Sequence, residues 1–221
     1  MNANDAPTVF VVDDDPSIRR ALTRVIQSVG LATETYPGAQ QFLDAYQPAR
    51  PGCLVLDIRM PHLDGLELQA LLDRQGFEIP IIFITGHGDV RTSVRAMKFG
   101  AVDFLQKPFS DQDLLEAIKR ALARDADLRQ VRAVRNEIAR RFERLTPRER
   151  EVFALVTIGK MNKEIAAELG ASEKTIKVHR GRVMEKMQAE SLAELVRLAQ
   201  AGGLDLTKVR EYCAGKGPES A

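Results

Sequence analysis

The sequence predicts an α/β fold in which a doubly wound parallel sheet is followed by a long helix and a small all-α domain. Short apolar runs alternate with helical patterns five times over the first 123 residues, and four further helical patterns end the chain. A length of 221 residues is sufficient for two domains. The predicted divisions are a first domain over 6–123, a helical linker over 124–143, a second domain over 144–206 and a flexible tail over 207–221.

Five short runs rich in branched apolar residues predict the strands. They lie at 8–12, 33–36, 53–57, 81–85 and 102–106. Such runs are typical of strands buried on both faces of a parallel sheet. Helices are predicted at 16–29, 39–46, 66–75 and 90–99, and from residue 111 onward. The alternation implies right-handed crossovers, so the carboxyl ends of all the strands share one edge of the sheet.

The fifth helix is predicted to run unbroken from Asp111 to about Glu143, because the next proline is Pro147. Its apolar residues recur at steps of three, four or seven: Leu114, Ile118, Ala121, Leu128, Val131, Val134, Ile138, Phe142 and Leu145. Asp125 interrupts this stripe. Two interpretations remain open, a linker that pairs with its twin in a dimer and a solvated single helix that folds back on its own domain.

The last domain is predicted to contain four helices, at 147–158, 162–169, 172–187 and 192–201. The Thr146 side chain can cap the first of them, and the Glu149 side chain can in turn accept a hydrogen bond from the Thr146 amide, which is a capping box. Gly170 forms a tight turn and Ser172 caps the longer, basic helix that follows, which is the pattern of a helix-turn-helix. Residues past Leu206 are small and polar, and we expect them to fray.

Charge is divided unequally between the two halves of the chain. Residues 1–123 contain 12 basic and 16 acidic side chains, whereas residues 124–221 contain 20 basic and 15 acidic ones. The basic half is therefore the candidate for nucleic-acid binding. No apolar stretch is long enough to span a membrane and no secretory signal is present, so we expect a cytoplasmic protein. Two cysteines, Cys53 and Cys213, are too few for a disulfide framework and are expected to be free thiols.

Polar side chains stand at the carboxyl ends of the predicted strands. Asp13 and Asp14 follow the first strand, Asp57 ends the third, Thr85 ends the fourth and Lys107 follows the fifth. An aspartate can act as a nucleophile, and clustered carboxylates favour a hard cation such as Mg²⁺. Phosphoryl transfer needs positioned positive charge, which Lys107 supplies. These five residues predict a phosphoryl-transfer site.

The segments around these residues resemble the receiver domain of response regulators, which has a flavodoxin-like fold. The matching segments are Val11-Val12-Asp13-Asp14, the run from Leu54 through Asp57 to Gly65, Thr85-Gly86 and Lys107-Pro108-Phe109. The resemblance implies that a sensor histidine kinase phosphorylates Asp57. It also implies that Asp13 or Asp14, with Asp57 and the Arg59 carbonyl, holds Mg²⁺, while Lys107 grips the phosphoryl oxygens.

The same resemblance implies a switch. Thr85 turns to hydrogen-bond the phosphoryl group while Phe104 packs inward, which repacks the face formed by the fourth predicted helix and the fifth strand for dimerisation. For Phe104 a plain core role remains an alternative. A cis peptide bond before Pro108 is also expected from the family.

The helix predicted over 172–187 carries five cations against two acids, and its exposed face is basic. Such a helix after a tight turn can contact phosphates and base edges in the major groove. Three segments resemble the LuxR-type DNA-binding domain: Leu145 to Val152, Asn162 to Ala166 and Thr175 to Arg180. Together with the receiver-like segments, this resemblance identifies the chain as a member of the FixJ/NarL family of response regulators.

The resemblance implies that Lys177, Val178 and Gly181 read the major groove, and that Lys174, Arg180 and Arg182 contact phosphates or flanking bases. Gly181 departs from the larger polar residue often found there, so either the backbone approaches DNA closely or this position reads no base. His179 is assigned to packing or a phosphate contact.

The combined interpretation is a two-component transcription regulator and not an enzyme that turns over a substrate. Its expected partners are a sensor histidine kinase, double-stranded DNA and a second copy after phosphorylation, with RNA polymerase as a further candidate. Two alternatives remain: a phosphotransfer or phosphate-sink protein whose basic domain docks a protein, and a constitutive DNA binder with a vestigial receiver.

Overall fold

A five-stranded parallel sheet organises the N-terminal part of the protein. The computed structural model describes residues 6–86, 96–97 and 99–204. The chain divides into two units, one up to residue 129 and one from residue 130. None of the described helices is both long enough and apolar enough to cross a membrane.

The sheet has the order β2-β1-β3-β4-β5. The strands are β1 (Thr8–Val12), β2 (Ala32–Tyr36), β3 (Gly52–Asp57), β4 (Ile81–Thr85) and β5 (Asp103–Gln106). In register, Val12 lies beside Leu56 and Asp57 lies beside Ile84. This alignment brings the carboxyl ends of the strands to one edge, as the sequence predicts.

Only the three inner strands are buried along their whole length. Every residue of β1, β3 and β4 is buried, whereas β2 and β5 are half-buried or exposed. The expectation that all five strands are buried on both faces is therefore wrong for the two outer ones. The reason is their position at the edges of the sheet, where each has a neighbouring strand on one side only.

Helices cover both faces of the sheet. They include α1 (Pro16–Ser28), α2 (Ala39–Ala45) and α3 (Gly65–Arg74), with Asp15 and Asp64 capping α1 and α3. Phe10, Phe42 and Phe83 anchor the apolar cluster on one face, while the cluster on the other face includes Ile26 and Ile82. The helix predicted over 90–99 lies mostly outside the described residues.

The long helix, α4 (Asp111–Glu143), has the predicted bounds. Its apolar stripe is divided between two cores. Leu114, Ile118 and Ala121 are buried in the first unit, and Ile138, Phe142 and Leu145 pack in the second. Between them, Val131 and Val134 are 51% and 47% exposed. Most of the stripe therefore packs within the chain, and pairing of α4 with a second copy remains a prediction that concerns this short segment.

Asp125 anchors α4 to the start of β3 and, through Arg129, to the loop before it. Its carboxylate is buried, accepts a 2.9 Å hydrogen bond from the Gly52 amide and pairs with Arg129 at 2.7 Å. Arg129 also donates to the carbonyls of Ala49 and Arg50. The interruption of the apolar stripe is thus a polar anchor on the loop before β3. Its partner Gly52 is 73 residues away in sequence, so periodicity does not reveal this contact.

The second unit is helical. Its helices are α5 (Pro147–Thr157), α6 (Asn162–Leu169), α7 (Glu173–Met187) and α8 (Leu192–Ala201). The capping box of Thr146 and Glu149 forms as predicted, and Ser172 caps α7. Gly170 adopts φ 62°, the left-handed conformation that favours glycine, which confirms the tight turn between α6 and α7. Residues 205–221, including the predicted tail, lie outside the described residues.

We expect Asp125→Ala to lower the free energy of unfolding of the receiver by about 2–4 kcal/mol, because it leaves the Gly52 amide and Arg129 without their buried acceptor. The chain has no tryptophan, so tyrosine fluorescence during urea unfolding reports on the receiver through Tyr36 and Tyr46. Asp127→Ala, an exposed aspartate on the same helix, is the matched control and should change stability by less than about 0.5 kcal/mol. Equal effects of the two variants would contradict the anchoring role.

Candidate functional sites

The ammonium of Lys107 lies between two carboxylates at the edge of the sheet. Its Nζ is 2.9 Å from Asp13 Oδ2 and 2.8 Å from Asp57 Oδ1. Asp13 and Asp57 are 1% and 6% exposed. The residues are far apart in sequence but meet because β1 and β3 are neighbours and β5 ends at the same edge. The structure therefore brings together three of the five residues that sequence analysis assigned to the phosphoryl-transfer site.

Backbone amides hold the second oxygen of each carboxylate. The Asp15 amide donates to Asp13 Oδ1 at 2.8 Å, and the Arg59 amide donates to Asp57 Oδ2 at 2.8 Å. A Cβ on Gly65 would come within 2.4 Å of the Asp57 carbonyl, so only glycine fits there. The start of α3 is thus packed closely against the backbone of Asp57.

One positive charge lies between two carboxylates, and both it and burial affect the pKa of Asp57. Burial raises the pKa of Asp57, and neighbouring Asp13 adds to the rise, against the opposing effect of Lys107. Burial alone would lower the pKa of Lys107, but its hydrogen bonds to Asp57 and Asp13 raise it. Lys107 is therefore held charged, and the acidic cluster retains negative charge that a further cation can neutralise.

The remaining predicted metal ligands lie at the same edge of the sheet. Asp14 is exposed directly after Asp13, and Arg59 is exposed two residues after Asp57. The described residues contain no group of three or more His, Cys, Asp or Glu side chains arranged to hold a metal ion. The set of carboxylates and a backbone carbonyl nevertheless consists only of hard oxygen donors, which are the type that Mg²⁺ prefers, together with waters.

The two residues predicted to form a switch, Thr85 and Phe104, lie on the neighbouring strands β4 and β5. Thr85 ends β4 with 1% exposure, and its carbonyl accepts a hydrogen bond from the Lys107 amide at 2.7 Å. Phe104 is half-buried and packs against the apolar cluster that contains Phe83. The Lys107–Pro108 peptide bond is cis, as expected. Thr85 is thus joined through the backbone to the residue that contacts both carboxylates.

The basic helix α7 has a buried face and a charged one. Ile176, Val183 and Met187 are buried in the core of the second unit. The exposed face carries Lys174, Lys177, Val178, Gly181 and Arg182. His179 and Arg180 are half-buried, and the Nδ1 atom of His179 is buried without a hydrogen-bond partner among the described residues. The DNA-binding residues predicted from sequence therefore divide into an exposed group and two that face partly inward.

Sequence reasoning missed two polar contacts that hold α7. Lys186 pairs with the buried carboxylate of Glu149 at 2.6 Å and donates to the Arg144 carbonyl at 3.1 Å. Arg180 donates to Asn162 Oδ1 at 3.1 Å. A signal for Arg180 was available, since it lies four residues after Ile176 and three before Val183, on the buried stripe. No sequence spacing indicates the partner of Lys186.

Comparison with known proteins finds one protein family for each of the two units. The model of the response regulator receiver domain matches residues 9–119, and that of bacterial regulatory proteins of the luxR family matches residues 143–199. Nodulation protein W of Bradyrhizobium diazoefficiens is 50% identical over 202 residues, covering 91% of this chain and 89% of that protein. The chain belongs to the LuxR-type response regulators.

Other members of the family show the same two-domain arrangement over nearly their full length. The transcriptional regulatory protein FixJ of Azorhizobium caulinodans is 44% identical over 196 residues, covering 89% of this chain and 93% of that protein. The solved structure of the response regulator StyR has 49% identity and a TM-score of 0.76, covering 88% of this chain and 98% of that one. This response regulator is therefore a DNA-binding member of a two-component system, and its family regulates transcription.

We expect Glu149→Gln to make the region around α5 and α7 less stable at neutral pH by about 2 kcal/mol, because a buried charged partner of Lys186 is lost. Burial alone would raise the pKa of Glu149, but the hydrogen bonds from Lys186 and Thr146 outweigh it and lower the pKa below its ordinary 4.5. The stabilisation is thus complete above that value and is lost as the pH falls below it.

Amide hydrogen exchange of peptides spanning 145–190 measures this difference locally. The native protein should lose protection on acidification more steeply than the Glu149→Gln variant. Glu185→Gln, at an exposed position of α7, serves as the control and should behave as the native protein. The same acid sensitivity in native protein and Glu149→Gln would contradict the assignment.

Proposed function

We propose that Asp57 of this response regulator accepts a phosphoryl group from a sensor histidine kinase, and that the phosphorylated protein dimerises on DNA to control transcription. One observation carries the proposal: the Lys107 ammonium lies within 3 Å of both Asp13 and Asp57 at one sheet edge of a chain that also bears an exposed basic helix. The receiver supplies the chemistry and the second unit supplies the output.

In the proposed reaction a carboxylate oxygen of Asp57 attacks the phosphorus of a kinase phosphohistidine. A phosphorus–oxygen bond forms as the phosphorus–nitrogen bond breaks, and the electron pair returns to the imidazole nitrogen, which takes up a proton. Lys107 is placed to bind the transferred oxygens while it remains paired with Asp13. Asp13, Asp14, Asp57 and the Arg59 carbonyl would hold Mg²⁺, which supplies positive charge against the carboxylates and the phosphoryl group.

The proposed switch uses Thr85 and Phe104. Thr85 would hydrogen-bond the phosphoryl group, and Phe104 would follow it inward from its half-buried position. Phe104 lies on β5, so its movement would alter the face that β5 shares with the helix predicted over 90–99. This face is the proposed dimer interface.

The dimer would present two copies of α7 to half-sites about 10 base pairs apart. Lys177, Val178 and Gly181 are proposed to meet base edges, and Lys174 and Arg182 to contact phosphates, since all five are exposed on one side of the helix. His179 and Arg180 adjoin this surface. Binding to chromosomal DNA implies a cytoplasmic location, and RNA polymerase is the partner through which such a regulator would act.

We expect Asp57→Asn to abolish labelling by a small phosphodonor in the presence of Mg²⁺ and to remove the increase in DNA affinity that the phosphodonor causes. The amide is not a nucleophile, although its shape is that of the carboxylate. Asp127→Asn, an exposed aspartate on α4, is the control and should label as the native protein does. If Asp57→Asn bound DNA as tightly as the phosphorylated native protein, the receiver would be vestigial.

A salt titration of DNA binding distinguishes the proposed regulator from a phosphate-sink protein whose basic unit docks another protein. Contacts from several cations to phosphates should make the affinity fall steeply between about 50 and 200 mM salt. Electrophoretic mobility shift on duplex DNA measures this dependence. Absence of binding at about 50 mM salt would favour the docking alternative.

A further inference from the structure

Arg180 lies on the inward stripe of the recognition helix α7. The buried residues Ile176, Val183 and Met187 and the half-buried Arg180 follow one another at steps of four, three and four, which places all of them on one helix face. Lys174, Val178 and Arg182 lie on the opposite side and are exposed. Arg180 is therefore half-buried at the margin of the buried face of α7.

The guanidinium joins the two helices of the helix-turn-helix. Arg180 Nη1 donates to Asn162 Oδ1 at 3.1 Å, and Asn162 is the first residue of α6. At the far end of α7, Lys186 pairs with Glu149 at 2.6 Å. Two points along a helix, held by groups outside it, determine its rotation about its own axis.

We propose that Arg180 is a positioning residue which sets the rotation of α7 through Asn162, and that it acts on base recognition without contacting DNA. This inference rests on the proposed DNA-binding function and refines it, since the family resemblance groups Arg180 with the phosphate contacts. Base selectivity then depends on Asn162, a neutral side chain on the other helix of the motif.

The rotation determines which atoms face the groove. With Arg180 directed inward, Gly181 is exposed beside Val178, and a Cβ at Gly181 would meet no protein atom within 4 Å. No internal packing therefore requires glycine there. A small rotation of the helix would move Val178 and Lys177 across the bases, so the bond between Arg180 and Asn162 should matter more for selectivity than for general affinity.

The test compares specific with non-specific binding. Phosphorylated full-length protein selects a duplex from a random-sequence pool, and fluorescence anisotropy then measures the affinity for that duplex and for a scrambled one. The variants are Arg180→Met, which keeps an apolar stem, Asn162→Ala, both together, and Asn162→Asp, which keeps an oxygen acceptor. Arg182→Ala is the matched control for a cation on the exposed face.

Arg180→Met and Asn162→Ala should each reduce the ratio of specific to non-specific affinity about tenfold. The double variant should reduce this ratio by no more than the larger single effect, because both changes remove the same bond. Asn162→Asp should keep the ratio of the native protein. None of them should change the slope of log affinity against log salt. Arg182→Ala should instead weaken both duplexes and reduce that slope by about one.

A slope reduced by about one in Arg180→Met, together with an unchanged ratio in Asn162→Ala, would show a phosphate contact and overturn the inference. Asn162→Ala tests the same bond if Arg180→Met does not fold. Failure of the native protein to select any duplex would overturn the proposed function itself. Selection of a duplex by the native protein, together with unchanged affinity ratios in the variants, would overturn this inference alone.

Discussion

The receiver depends on one ammonium group shared by two buried carboxylates. Lys107 is within hydrogen-bond distance of both Asp13 and Asp57, and these three residues come from the ends of three strands. Isolated charges at such depth would be costly, and the single cation compensates only part of the negative charge. This surplus suits a bound cation, and in the proposed function that cation would offset the negative charge of the transferred phosphoryl group. The order of the strands is therefore a requirement of the chemistry.

The second unit uses its cations in two different ways. Lys186 and Arg180 bind acceptors within the unit, Glu149 and Asn162, whereas Lys174, Lys177 and Arg182 are exposed. Long-range attraction to DNA depends on the total positive charge of the surface. Base selection depends on the positions of a few atoms on the exposed side of α7. We infer that Arg180 and Lys186, the inward-directed cations, determine those positions. A count of basic residues on the helix cannot separate these roles.

The helix α4 shows where reasoning from periodicity succeeds and where it stops. Its bounds follow from the absence of proline between Pro108 and Pro147, and they are confirmed. The same stripe of apolar residues serves two cores, and Asp125 is a buried anchor within it. The pattern shows that a face is apolar but not which partner covers it. That information lies in contacts with the distant residues around Gly52.

Outside the helix predicted over 90–99, the sequence by itself determined the strand and helix positions, the acidic strand ends, the caps of α5 and α7 and the basic helix, because these follow from local periodicity and turn chemistry. It also predicted that Asp13, Asp57 and Lys107 come together, since parallel strands bring their carboxyl ends to one edge, and the structure shows this contact. Only the tertiary structure decided that β2 and β5 are partly exposed, that Asp125 holds α4 to the start of β3, and that Arg180 and Lys186 bind Asn162 and Glu149. Each of these depends on side chains that are distant in sequence and meet only when the chain is folded.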